Sequence, residues 1–91
     1  MATGERRLQD LVSIGPKMRK DFELLGIRSV AQLARQKPES LYDKLCAVTG
    51  KSQDICVLDT FSAAVAQARH PKLPTEQRQW WYWSHKRKAR E

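Results

Sequence analysis

This 91-residue sequence has few of the features that mark membrane, secreted or disulfide-bonded proteins. No apolar run reaches the roughly 18 residues that a membrane-spanning helix needs, and residues 1–7 are too polar for a secretory signal. Cysteine is scarce: Cys46 and Cys56 are expected to be reduced and buried as small apolar groups, with a disulfide as the minority alternative. We therefore predict a cytoplasmic protein that does not bind a membrane.

The sequence also lacks the patterns of a β-sheet, a metal site or a catalytic centre. No segment alternates β-branched and polar residues, so we expect no strands. Residues 50–52 read Gly-Lys-Ser, but Leu45 stands where a phosphate-binding loop needs its first glycine. The potential metal ligands are Cys46, Cys56, His70 and His85, but the spacing between them fits no zinc motif. We accordingly predict no cofactor, no metal and no enzymatic activity.

Positive charge is in clear excess. Lys and Arg number 17 against 10 Asp and Glu, which gives a net charge of +7. This balance favours an anionic partner, with nucleic acid ahead of an acidic protein or a membrane surface. Four of the basic side chains lie within residues 85–90, so we predict a folded domain over residues 1–84 and a basic, disordered tail over residues 85–91.

The turn L-V-S-I-G-P-K, residues 11–17, lies between two segments of helical periodicity. Gly15 can adopt a positive φ at little cost, and Pro16 suits the first position of a helix. A helix N-terminus carries unpaired N–H groups and a partial positive charge, and Lys17, Arg19 and Lys20 follow at once. The turn is therefore predicted to receive a phosphate group.

Apolar spacing and capping signals predict helices throughout the chain. They cover about residues 5–12, 16–25, 29–37, 38–50, 54–70 and 75–83. Gly26 and Gly50 are predicted to end helices, Ser29 with Gln32 to form a capping box, and Pro38 to lie near a helix start. Val48 and Ile55 are expected to face inward. Trp80 and at least one other aromatic residue are expected to fix the last helix to the core. The carboxylates of Asp54 and Asp59 are assigned, together with Asp43, to helix termini and surface ion pairs.

The turn, followed by L-G-I-R-S-V-A-Q-L-A, resembles the helix-hairpin-helix element of DNA repair and recombination proteins. From about residue 8 to residue 83 the chain is similar to a bacterial family of small helix-hairpin-helix proteins, known from a pathogenicity locus and as mitomycin-resistance proteins. The shared segments are P-E-S-L-Y-D-K-L-C, D-I-C-V-L-D-T-F-S-A-A-V and W-W-Y-W. The resemblance implies an all-α, SAM-domain-like bundle of five to six helices with one hairpin motif, which in related proteins binds DNA phosphates.

Carried over to this sequence, the resemblance places the two hairpin glycines at Ser13 and Gly15, so the first position departs from the motif. Residues 49–54 are at best a degenerate second hairpin. The predicted nucleic-acid-binding residues are Ser13, Gly15, Lys17, Met18, Arg19, Lys20 and Arg28. We predict weak, non-sequence-specific DNA binding in a repair or stress context. The alternative is a structural hairpin in a module that binds a protein partner or forms a homodimer, and the aromatic residues 80–83 either pack or stack on bases.

Overall fold

The computed structural model describes residues 7–12 and 14–90. In this part of the chain there are no strands, and the prediction of an all-α protein is confirmed. The five helices are α1 (Pro16–Leu24), α2 (Val30–Ala34), α3 (Pro38–Thr49), α4 (Ile55–Arg69) and α5 (Trp80–Arg90), with 3₁₀ turns at Leu8–Asp10 and Thr75–Arg78.

Glycines end two of the helices as their positions in the sequence predict. Gly26 has a φ of 76° and follows α1, where the N–H of Ile27 donates to the carbonyl of Phe22 at 2.8 Å. Gly50 has a φ of 71° at the end of α3. Both residues occupy the left-handed region, which only glycine enters at little cost, so the chain reverses where the sequence predicts.

Ser29 begins α2 as the N-cap, and its hydroxyl accepts a hydrogen bond from the N–H of Gln32 at 3.0 Å. The side chain of Gln32 does not return to Ser29, as a complete capping box would require. It accepts from the N–H of Arg28 and donates to the carbonyl of Gly26, both at 2.8 Å. Gln32 thus holds the whole connection between α1 and α2.

The core is built around α4, which packs on α2, α3 and α5. Its alanines Ala63 and Ala64 are fully buried and permit close approach of the neighbouring helices. The rings of Phe22 and Phe61, both fully buried, lie 5.7 Å apart between centroids. This contact joins α1 to the central helix.

Two apolar residues are not where periodicity places them. Val48 is 50% exposed and Ile55 is 43% exposed, so the prediction that both face inward is wrong. They lie in the terminal turns on either side of the α3–α4 connection. The apolar periodicity of a sequence continues to the end of a helix, but a neighbouring helix does not always extend far enough to bury the last turn.

The two ends of the bundle also differ from expectation. The predicted first helix appears, within the described residues, only as the 3₁₀ turn Leu8–Asp10, and residues 5 and 6 lie outside them. Residues 85–90, predicted to be a disordered tail, continue helix α5, and Arg87 contacts α4. Among the helices described, none is both long and apolar enough to cross a membrane.

Candidate nucleic-acid interface

The N-terminal end of α1 leaves backbone donors open to a ligand. Gly15 is the N-cap and Pro16 is the first helical residue. The first helical bond runs from the N–H of Arg19 to the carbonyl of Gly15 at 3.0 Å. The preceding amides, those of Lys17 and Met18, have no recorded partner among residues 7–12 and 14–90. They are the donors that an anion at a helix start can reach.

Gly15 does not adopt the left-handed backbone conformation that glycine permits. Its φ is −93° and its ψ −178°, an extended geometry open to any residue, so the turn does not use the positive φ that glycine can adopt. A Cβ atom built on it would meet nothing within 4 Å. Pro16, with its fixed φ at the first helical position, makes the turn without a left-handed residue. The described fold therefore does not require glycine at this position.

Three cations surround the start of α1. Lys17, Arg19 and Lys20 are all exposed, whereas the side chain of Met18 is buried in the core. Met18 can thus contribute only its backbone amide. The ion pair recorded in the described part of the chain involves neither Arg19 nor Lys20. The predicted contact at Ser13 lies outside the described residues and stays a prediction.

Lys17 lies within electrostatic reach of two carboxylates. Burial raises the pKa of Asp21, and the charge of Lys17 opposes that rise. Hydrogen bonds from Cys56 lower the pKa of Asp54, and the charge of Lys17 lowers it further. The positive charge of Lys17 is therefore partly balanced inside the protein, which leaves Arg19 and Lys20 as the freer cations of the turn.

Arg28 is not part of the same cluster. It follows Gly26, beyond the C-terminal end of α1, and the nine residues of this helix span about 13 Å. Its side chain is exposed, and its backbone N–H is held by Gln32 at 2.8 Å. Lys17, Arg19 and Lys20 thus lie within the first five residues of α1, whereas Arg28 lies beyond its other end.

The second turn, residues 50–54, has a different chemical character. The carboxylate of Asp54 caps α4 by accepting a hydrogen bond from the N–H of Cys56 at 2.9 Å. The hydroxyl of Tyr42 donates to the carbonyl of Gln53 and holds the turn against α3. Because a carboxylate already occupies the start of α4 and repels phosphate, this turn is less suited to an anion than the start of α1.

Gln67 positions the predicted turn, and the sequence-based analysis missed it. This side chain is buried on α4, accepts from the N–H of Val12 at 2.8 Å and donates to the carbonyl of Val12 at 2.8 Å. It also donates to the carbonyl of Arg78 at 3.3 Å. The first part of the turn is thus tied to the central helix. A polar residue at a four-residue step from Ala63, within an alanine-rich helix, is the signal that could have indicated its burial.

Asp59 is a buried partner rather than a surface or terminal carboxylate, so its predicted role is wrong. Its side chain is 2% exposed and accepts two bonds from Arg87, from Nε at 2.9 Å and from Nη2 at 3.0 Å. The pair joins the middle of α4 to α5. Its position four residues before Ala63, on the face that carries Gln67, indicates burial in retrospect.

The aromatic residues of α5 divide between packed and exposed positions. Trp80 and Trp81 are 40% and 41% exposed, so the prediction that Trp80 fixes the helix to the core is wrong. Trp83 is half-buried, and its indole N–H donates to the carbonyl of Gln77 at 2.7 Å, which ties α5 to the 3₁₀ turn Thr75–Arg78. Trp80 is the first residue of α5, so no turn of its own helix precedes it.

The two thiols are half-buried rather than buried, and both are free. Cys46 accepts a hydrogen bond from the N–H of Gln53 at 3.5 Å. A hydrogen bond with Asp54, with burial adding to it, raises the pKa of the Cys56 thiol. A raised pKa keeps a thiol protonated at neutral pH, which is the opposite of what a nucleophilic cysteine needs.

Comparison with known proteins places the chain in a family. Residues 2–89 match the Cdd1 family, described as "Pathogenicity locus". The chain belongs to this family. The predicted membership is thereby confirmed, while the helix-hairpin-helix character of the Cdd1 turn stays a prediction.

A curated relative of this Cdd1 chain is the "Mitomycin resistance protein McrB" of Streptomyces lavendulae. The two sequences are 40% identical over 81 residues, which cover 89% of this chain and 73% of the relative. No solved structure matches the chain.

Proposed function

We propose that this chain binds the sugar-phosphate backbone of DNA through the N-terminal end of α1, without reading base sequence and without catalysing a reaction. One observation carries the proposal: among residues 7–12 and 14–90 the amides of Lys17 and Met18 have no hydrogen-bond acceptor, and exposed cations flank them. Backbone donors, a helix dipole and mobile positive side chains together are what a phosphate binds. The resemblance of the turn to a helix-hairpin-helix motif supports the same partner.

The conformation of Gly15 supports a ligand-binding role over a purely structural one. A structural turn would need glycine for its geometry, yet Gly15 is extended and a Cβ would fit without a contact. The fold alone therefore gives no reason for glycine at position 15, whereas contact with a ligand would give one. Without a side chain, the backbone can come close to a phosphate group.

The proposed binding is weak and insensitive to sequence. The start of α1 offers two amides and a few cations to a phosphate, Asp54 already caps the start of α4, and phosphates carry no sequence information. The net charge of +7 adds long-range attraction. We place this binding in a stress or repair context because the curated relative is named for resistance to mitomycin.

Fluorescence anisotropy with a labelled duplex, at several salt concentrations, tests the proposal. Wild-type affinity should fall with salt by about 0.9 logarithmic unit per released phosphate counterion for each tenfold change in salt. Arg19→Gln with Lys20→Gln should reduce that slope by about two and weaken binding. Arg35→Gln with Lys44→Gln removes the same charge from exposed residues of other helices and is the matched control. Lys17 is left unchanged because two carboxylates depend on its charge.

The variant Gly15→Ala tests the proposal without a change of charge. The variant should fold normally, because its Cβ meets no other atom, and should bind the duplex more weakly because its backbone can no longer approach a phosphate as closely. Absence of duplex binding at low salt would refute the proposal. If Arg35→Gln with Lys44→Gln loses as much affinity as Arg19→Gln with Lys20→Gln, the binding depends on net charge and not on the start of α1.

A protein-interaction or dimerisation module is the second candidate function. Three large aliphatic side chains are exposed outside α5, those of Leu24, Val48 and Ile55. Exposed apolar groups of this size are typical of interfaces when they form one patch. Size-exclusion chromatography with light scattering distinguishes the two functions: a stable dimer that dissociates in a Val48→Lys variant supports this second one, and a monomer at all concentrations counts against dimerisation.

A further inference from the structure

The outer face of α5 combines an aromatic ring with basic side chains. Trp81, His85 and Lys88 lie at positions i, i+4 and i+7, which share one face of a helix, and all three are exposed. The ring of Trp81 lies 6.2 Å from that of His85 at an angle of 58°. The indole thus lies beside His85 and presents an exposed flat surface.

No carboxylate lies on α5, because residues 80–90 contain neither Asp nor Glu. Arg87 turns inward to Asp59, and the ammonium group of Lys86 lies 5.4 Å from the ring centroid of Trp83. Lys88 is left exposed next to the Trp81 face. The face is therefore positive, and it complements an anion that also carries flat apolar groups.

Unpaired nucleotides have both properties. Each base offers a flat face that can stack on an indole, and each phosphate offers a negative charge to a neighbouring lysine. In a duplex the base faces are already stacked and out of reach. A membrane fits less well, because the exposed side of α5 has no aliphatic residue larger than Ala89, and helices that enter a bilayer bury a broad apolar face.

We propose that the outer face of α5 binds single-stranded nucleic acid, with a base stacked on Trp81 and an adjacent phosphate on Lys88. This surface lies on a different helix from the turn proposed to bind duplex DNA. It depends on other residues and does not require that function to hold.

Fluorescence anisotropy with labelled oligodeoxythymidylate of about 16 nucleotides tests the proposal on the full chain. Trp81→Ala should weaken binding about tenfold, whereas Trp81→Phe, which keeps a stacking ring, should stay within about threefold of wild type. Lys88→Gln should reduce the salt slope by about 0.7. Trp80→Ala is the matched control, because Trp80 is as exposed as Trp81 but lies about 100° away around the helix.

Thermal unfolding of each variant first establishes that it folds, and three outcomes overturn the proposal. The first is wild-type protein that does not bind the single strand at low salt. The second is equal loss in the Trp80→Ala and Trp81→Ala variants. The third is a Trp81→Ala variant that binds the single strand as wild type does but no longer binds phosphatidylcholine–phosphatidylserine vesicles, or no longer forms a dimer.

The same variants distinguish the two surfaces. Arg19→Gln with Lys20→Gln should weaken duplex binding and leave the Trp81-dependent binding of the single strand in place. If the duplex binds and the single strand does not, the α5 proposal fails and the proposed function stands. If the single strand binds through Trp81 and the duplex does not bind, the reverse holds.

Discussion

Replacing Arg87 with methionine should lower the free energy of unfolding by about 3 kcal/mol. The guanidinium group donates two bonds to Asp59, at 2.9 and 3.0 Å, and the carboxylate is 2% exposed, so water cannot take over when Arg87 is lost. Removal of one partner from a buried ion pair leaves an uncompensated charge and costs about 3 to 5 kcal/mol. We take the lower figure because Arg87 is itself 21% exposed.

For a domain of this size, the loss corresponds to a fall in Tm of about 12 to 24 °C. Urea unfolding of Arg87→Met, Asp59→Leu and the double variant forms a double-mutant cycle that separates the pair from other contacts of Arg87. The double variant should be more stable than Arg87→Met alone, because it removes the buried charge together with its partner. The reasoning is refuted if Arg87→Met unfolds within about 0.5 kcal/mol of wild type, or if the double variant is less stable than Arg87→Met alone.

Two further predictions concern helix ends. Gly26→Ala should destabilise the fold by about 1 kcal/mol, because the φ of Gly26 is 76°. Gly15→Ala should leave the urea midpoint almost unchanged, because the φ of Gly15 is −93°. Equal shifts of the midpoint in the two variants would contradict this prediction. The pKa of Asp54 is held below its usual value of 3.8, so its capping carboxylate adds stability above that pH and loses it as the pH falls through the lowered value. Asp54→Asn keeps a capping oxygen, so its Tm should fall less than that of wild type on acidification; parallel Tm curves would contradict this.

Signals within one helix or turn were sufficient to predict most of the architecture. Gly26 and Gly50 end helices, Ser29 caps one, and Pro16 and Pro38 begin two others, because each acts through its own backbone or that of residues within one turn. The start of α1 was predicted from the same kind of signal.

The errors concern residues whose environment depends on distant parts of the chain. Asp59 and Gln67 are polar, and nothing nearby in sequence indicates the partners that bury them, 28 and 55 residues away. Trp80 was placed inside because large rings usually pack, but it lies where α5 begins and cover is incomplete. Side-chain polarity and size predict burial only when the neighbouring helix is known.

The bond between Gln67 and Val12 has a consequence for how the turn meets a partner. One buried amide joins Val12 to the central helix across 55 residues of the chain and fixes the short segment of residues 11–12. The conformational entropy of that segment is therefore lost during folding, before any encounter. A partner that binds at the start of α1 therefore does not have to order this segment. The entropic cost of ordering it does not weaken the binding.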